Sequence, residues 1–342
     1  MNKFIKKLGV LALTCTLSVS LLAGCGAKKE ASTDSTSANT EEDAKINGNG
    51  IKVLFSLTDR DDTFRAKLAE SVETAAKSCN VSLDTKLCNN DTKVQLKDIK
   101  EAEANGYKAI IVRLADAQTA LQMATATNLP VIFINSAPES SVLKKDKDIY
   151  VGSNEYDAGK MQVEYVLKKL NNPKSMNIII LKGERGHSGA TQRTSAVKTA
   201  LKAAGVDYTI VFSDYGSSWS PENGREMMDA FFKTGQTVNA VFSNNDSMAI
   251  GAVESMKAHG LSLSTIPVVG VDATADACAS IKAGEMQFTV LQNASMQGAR
   301  AVQAAVTLGN KKSISTITGA SKDKCYIWVP FEPVDSSNVD KY

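Results

Sequence analysis

The chain has 342 residues, with 39 Lys and Arg against 37 Asp and Glu. That balance excludes the concentrated basic surface that nucleic-acid binding requires. The length suits two domains, and the six cysteines include no Cys-x-x-Cys pair or other zinc-type spacing.

The chain opens with Lys3, Lys6 and Lys7, then an apolar run from Leu8 to Leu22 broken by Thr14, Thr16, Ser18 and Ser20. A short apolar stretch behind lysines and ahead of small residues reads as a secretion signal. It is too short and too interrupted for a comfortable spanning helix. The four residues that follow, Leu22-Ala23-Gly24-Cys25, resemble a bacterial lipobox. The resemblance implies cleavage after residue 24 and lipidation of Cys25, which would anchor the chain to the outside of the cell membrane. Two acyl chains hold far better than one. Loss of residues 1–24 takes the net charge from +2 to about −1. Residues 25–50 are mostly Gly, Ala, Ser, Thr, Asn, Lys and Glu, a composition that reads as a flexible tether. No later stretch is long and apolar enough to cross a bilayer.

From residue 51 the pattern alternates strand and helix. Ile51 to Leu57 is β-leaning, and Thr63 to Cys79 has helical spacing of Phe64, Leu68 and Val72. Val81 to Leu87 reads as a strand and Val94 to Asn105 as a helix ended by Gly106. Ala109 to Val112 and Val131 to Ile134 are continuous apolar runs of the kind buried in parallel sheets, with a helix expected over Ala117 to Asn128 between them. A second series follows. Strands are expected at Asn177 to Leu181, Tyr208 to Phe212, Val238 to Phe242 and Pro267 to Val271. Helices are expected at Gln192 to Ala204, Pro221 to Thr234, Ser247 to His259 and Ala273 to Ala283. The fold class is therefore α/β, with two doubly wound parallel sheets. Four cysteines remain in this part; Cys79 and Cys88 fit either a disulfide or two buried thiols.

In such sheets ligands bind beyond the C-terminal ends of the strands, and polar residues cluster there. Asp62 and Phe64 follow the first strand, and Asn135 follows Ile134. His187 and Arg193 lie beyond Leu181, and Asn245 and Asp246 beyond Phe242. Asp272 follows Val271, and Gln292 follows Leu291. Carboxylates accept, guanidinium groups donate and amides do both, while Phe64 and Trp219 offer flat apolar faces. This mix suits an uncharged polyhydroxylated ligand. Blander roles fit each residue too: helix caps for Asp246, Asp272 and His187, core packing for Trp219, a turn for Asn135.

These residues fall in longer motifs. Lys182-Gly183-Glu184-x-Gly186-His187 with Ala190-x-x-Arg193-Thr194, and Asn244-Asn245-Asp246-x-Met248-Ala249, resemble the periplasmic sugar-binding proteins of ABC transporters. Within that family the motifs are most similar to the galactose/glucose-binding proteins. Asp61-Asp62-x-Phe64, Tyr150-Val151-Gly152 and Ile266-Pro267-Val268-x-Gly270-Val271-Asp272 extend the likeness over residues 51–342. The resemblance implies two lobes joined by a three-strand hinge: 51–153 with 293–325, and 154–292 with 326–342. It implies hydroxyl contacts from Asp62, Asn135, His187, Arg193, Asn245, Asp272 and Gln292, with Phe64 and Trp219 against the ring. It further implies a monomer without cofactor that captures a galactose- or glucose-like monosaccharide and hands it to an ABC permease. Two positions depart from the family. Gly189 stands where the family has an aspartate and Gln292 where it has an asparagine, so Arg193 is expected to lack its carboxylate neighbour. The segment Asn171 to Asn177 is too short and too poor in acids for the family's calcium loop, so no metal is expected.

A sugar sensor coupled to a membrane histidine kinase or chemoreceptor has the same sequence features. An enzyme does not: there is no Gly-x-Ser-x-Gly elbow, phosphate-binding loop or His-Glu-x-x-His. A sugar-responsive repressor would need a helix-turn-helix where this chain has its signal and tether.

Overall fold

The computed structural model describes residues 46–342. The expected signal, the lipidated Cys25 and the tether up to residue 45 lie outside the described residues. The tether expected to run to residue 50 overlaps the folded body, which includes residues 46–50. Ile46 packs on the first core, Gly48 N–H donates to Cys79 O at 2.6 Å, and Gly50 N–H donates to Asn80 O at 2.8 Å.

The first series consists of β1 (Lys52–Leu57), α1 (Thr63–Ser78), β2 (Ser82–Leu87), α2 (Thr92–Ala102), β3 (Ala109–Val112), α3 (Ala120–Thr125), β4 (Val131–Ile134) and β5 (Asp148–Gly152). The second consists of α4 (Glu155–Lys169), β6 (Ser175–Lys182), α5 (Ser188–Ala203), β7 (Asp207–Tyr215), α6 (Pro221–Phe232), β8 (Ala240–Ser243), α7 (Asp246–Ala258), β9 (Val268–Val269), α8 (Ala275–Lys282) and β10 (Phe288–Leu291). The chain ends with α9 (Ala294–Gly309), β11 (Tyr326–Trp328) and β12 (Glu332–Asp335).

The strands form two six-stranded sheets of corresponding strand order. The first runs β11-β5-β4-β3-β1-β2 and the second β12-β10-β9-β8-β6-β7. Pairing is parallel in both, except that β12 joins β10 antiparallel. Side chains alternate across each sheet as strand geometry requires. Val53, Phe55 and Leu57 of β1 face α1 and α9, whereas Leu54 packs with Ile99 of α2. In the second sheet Ile179 and Leu181 face α6 and α7, and Ile178 and Ile180 face α4 and α5. Each lobe therefore has a core on both faces of its sheet, which is why the central strands read as unbroken apolar runs.

The chain crosses between lobes three times: from β5 to α4, from β10 to α9, and from β11 to β12. The last crossing lies beyond the boundary expected at residue 325. Tyr326, Ile327 and Trp328 pair with Tyr150, Val151 and Gly152, so they complete the first sheet. The helix expected over Ala117 to Asn128 is also shorter. It begins as a 3-10 turn at Ala117–Thr119 and stops at Thr125, and the Thr127 hydroxyl accepts from Leu129 N–H at 3.1 Å ahead of Pro130. Cys79, Cys88, Cys278 and Cys325 are free thiols. Cys79 caps α1 at one end of β2 and Cys88 follows its other end, a separation of about 20 Å for a strand of this length and far beyond disulfide reach.

Candidate functional site

The C-terminal ends of both sheets open onto one cleft. From the first lobe come Asp62, Phe64 and Arg65 at the start of α1, Arg113 just past β3, and Asn135 just past β4. From the second come His187 and Arg193 on α5, Trp219 ahead of α6, Asn245 ahead of α7, Asp272 past β9 and Gln292 past β10. They line a single narrow cavity. The structure thus brings together all nine side chains expected from the sequence. Arg65 and Arg113 are additions. Arg113 directly follows an apolar strand run, as Asn135 does, so the strand-end rule itself could have found it.

Several of these residues also shape the backbone that holds them. Asp62 Oδ1 accepts Arg65 N–H at 2.8 Å and caps α1. Asn245 Oδ1 accepts Met248 N–H at 3.0 Å and caps α7, while its Nδ2 donates to Trp219 O at 3.1 Å. His187 Nδ1 accepts Gly189 N–H at 3.0 Å and caps α5. That bond places the imidazole proton on Nε2. Burial, then Arg113, Arg193 and Arg65, push the ring's pKa well below its usual value, so it is neutral at pH 7. Asn135 and Asp272 sit at φ 64° and 125°. Backbone held in this region by a non-glycine residue stores strain of the kind found at binding sites. Asp272 is not a helix cap; Thr274 caps α8. Nor does Asp246 act as the cap of α7. It is fully buried and accepts from Thr289 Oγ1 at 2.6 Å and Thr274 N–H at 2.8 Å, which braces the loop that carries Asp272.

Arg193 has a carboxylate neighbour after all, from a residue the motifs did not reveal. Its Nε donates to Glu155 Oε2 at 2.5 Å, with the two side chains 3% and 0% exposed. Nη1 donates to Asn244 O at 2.6 Å and Nη2 to Gln292 Oε1 at 3.3 Å. Burial opposes the charge on Arg193, but Glu155 and then Asp272 outweigh it and its pKa is raised. Gly189 meanwhile has little room for a side chain: a Cβ there would lie 3.0 Å from His187 Nδ1. Gln292 reaches the site as an asparagine would, and its Nε2 is buried without a hydrogen bond.

The carboxylates of Asp62 and Asp272 are pushed up, in both cases chiefly by burial. Buried acceptors of this kind stay costly until something donates to them. The lobes also touch directly. Arg65 is paired to Asp59 at 2.8 Å in its own lobe and to Glu184 at 3.2 Å across the cleft. Ala117 N–H donates to Gly186 O at 3.1 Å and Ala137 N–H to Ser188 Oγ at 2.8 Å. All three cross-cleft contacts converge on residues 184–188 at the start of α5. Among the described residues no group of His, Cys, Asp or Glu converges as a metal site would, and no helix is long and apolar enough to cross a membrane.

Comparison with known proteins matches this two-lobed α/β architecture. Residues 53–313 fit the model of the periplasmic binding protein domain. The chain belongs to that family. This binding protein is 30% identical over 286 residues to a putative rhizopine-binding protein of Rhizobium meliloti, covering 82% of this chain and 89% of that one. It is also 30% identical over 300 residues to a D-galactose/methyl-galactoside binding periplasmic protein of Haemophilus influenzae, covering 82% and 88%. Among solved structures, it superposes with a TM-score of 0.75 on an ABC transporter solute binding protein from Bacillus halodurans with bound myo-inositol, at 26% identity, covering 88% and 100%.

Proposed function

We propose that this binding protein captures a galactose- or glucose-like monosaccharide between its lobes outside the cytoplasm and delivers it to an ABC importer. Residues 1–24 would direct export, and lipidated Cys25 would hold the monomer at the membrane through the tether. The observation that carries the reading is the convergence of eleven side chains from both lobes on one small cavity. The carboxylates of Asp62, through Oδ2, and Asp272 accept from hydroxyls. The guanidinium groups, His187 Nε2 and Gln292 Nε2 donate to them. Phe64 and Trp219 each bring an apolar face, one from each lobe. Contacts from both lobes to one ligand make binding and closure a single event. The names of two relatives, for D-galactose/methyl-galactoside and for myo-inositol, support the same class.

The test is thermal shift of residues 26–342, stripped of carried-over ligand, against D-galactose, D-glucose, D-ribose and myo-inositol. Ligand at a hundred times its Kd stabilises by about 2.7 kcal/mol, a shift of several degrees for lobes of this size. A shift with galactose or glucose supports the full reading. A shift with another polyol alone keeps the class and changes the ligand. No shift with any of them rejects the polyol reading.

A further inference from the structure

Three arginines line the cleft, and they are not equivalent. Arg65 is paired with Asp59 and Glu184, and Arg193 with Glu155. Arg113 is 2% exposed and makes no ion pair. Its backbone is fixed, with N–H donating to Ser56 O at 3.0 Å and its carbonyl accepting from Gln95 Nε2 at 3.0 Å. Its side chain donates from Nη1 to Thr58 Oγ1 at 2.8 Å and from Nε to Asn135 Oδ1 at 3.4 Å. A guanidinium has five N–H donors, so three are left over, on a group that lines the cavity. Burial, then Arg65, lowers its pKa to about 10, which leaves it charged at neutral pH. Nearby Glu184, Asp62 and Asp59 favour the charge but make no ion pair with it. Beside it in the same cavity wall, Asp62 uses Oδ1 as a helix cap, and no described residue donates to its Oδ2.

We propose that Arg113 is a specificity-determining ligand contact, which with Asp62 grips one hydroxyl of the bound sugar from the first lobe. The guanidinium donates to the hydroxyl oxygen and the carboxylate accepts the hydroxyl proton. An ether oxygen at that ring position satisfies only the arginine, and a deoxy carbon satisfies neither, so both analogues are rejected. The inference rests on the polyol reading above and adds a residue that the strand-end motifs did not supply.

The experiment is calorimetric titration of wild type and Arg113→Gln with whichever of the four polyols binds, and with its monodeoxy and O-methyl analogues. Loss of a hydrogen bond to a charged group predicts about a 10- to 150-fold weaker Kd for Arg113→Gln. One deoxy analogue should be rejected strongly by wild type and cost Arg113→Gln less, because only the Asp62 bond is then left to lose. A folded Arg113→Gln that binds within twofold of wild type overturns the inference and leaves the polyol reading standing. Failure of wild type to bind any of the four overturns both. Should Arg113→Gln not fold, the wild-type complex decides by crystallography. An Arg113 N–H within about 3.2 Å of a hydroxyl that also meets Asp62 is the expected result, and no ligand oxygen there refutes it.

Discussion

Replacing Glu155 by Gln is the most informative single change away from the ligand itself. It keeps the volume and removes the only carboxylate among the described residues bonded to Arg193, at a pair that is 0% and 3% exposed. Breaking a buried pair by removing one partner costs about 3–5 kcal/mol, because the other charge is left without compensation. At about 2–4 °C per kcal/mol for a protein of this size, Tm should fall by roughly 6–20 °C. The same guanidinium faces the cavity, so the affinity for the bound polyol should fall at least about tenfold. Differential scanning calorimetry and titration calorimetry read the two effects. The double variant Glu155→Met with Arg193→Met removes both charges; it should recover most of the stability while binding stays lost. A Glu155→Gln protein with Tm within about 2 °C of wild type and unchanged affinity would refute the assignment of Glu155 as counter-ion.

Three further outcomes follow from the geometry. A Cβ on Gly183 would lie 2.1 Å from Trp219 Cη2, so Gly183→Ala should displace the indole, weaken polyol binding and shift tryptophan emission; an unaltered spectrum and Kd would contradict this. Glu184→Gln removes the cross-cleft pair with Arg65, whose side chains are 18% and 4% exposed. Loss of about 1–2 kcal/mol of closure predicts roughly 5- to 30-fold weaker binding, with a larger radius of gyration by small-angle scattering when ligand is limiting. The Asp246 pKa is raised to about 6, mainly by burial and against the Thr289 hydroxyl. Its folded state binds the proton more tightly than the unfolded state does, so the stability it contributes is full below the unfolded value near ~4 and is lost as pH rises through about 6. Melting profiles between those limits should lose this component in Asp246→Asn, and identical slopes would count against it.

The sequence made most of the site legible because the ligand-facing residues follow strands whose apolar runs are unmistakable. Asp62, Asn135, Asp272 and Gln292 each occupy such a position. Arg113 follows the same pattern and was there to be read; the other residues that escaped lay off it. Glu155 opens a helix whose face alternates less clearly, since Gln162 is fully buried there to donate to Ser243 and Gly270 carbonyls. No element was assigned to α4 or α9, although α9 is buried along most of its length. An all-round small-residue helix such as Ala301, Ala304 and Ala305 gives a weak periodic signal. Short strands such as β11 carry three residues and declare themselves only through their partner β5. The dual duty of His187 and Asn245, as caps and as cavity wall, shows why the structural and functional readings of those residues did not compete.

The strand order has a bearing on biosynthesis. β11 closes the outer edge of one sheet and β12 that of the other, and both lie within residues 326–342. A chain emerging from its N-terminus therefore cannot complete either lobe until residues 326–335 are available. Until then both sheets present an open edge beside β5 and β10, the exposed hydrogen-bonding rows that invite misassembly. Termination before residue 326 would remove an edge strand from both lobes at once, and neither half can be produced from one continuous stretch of the gene.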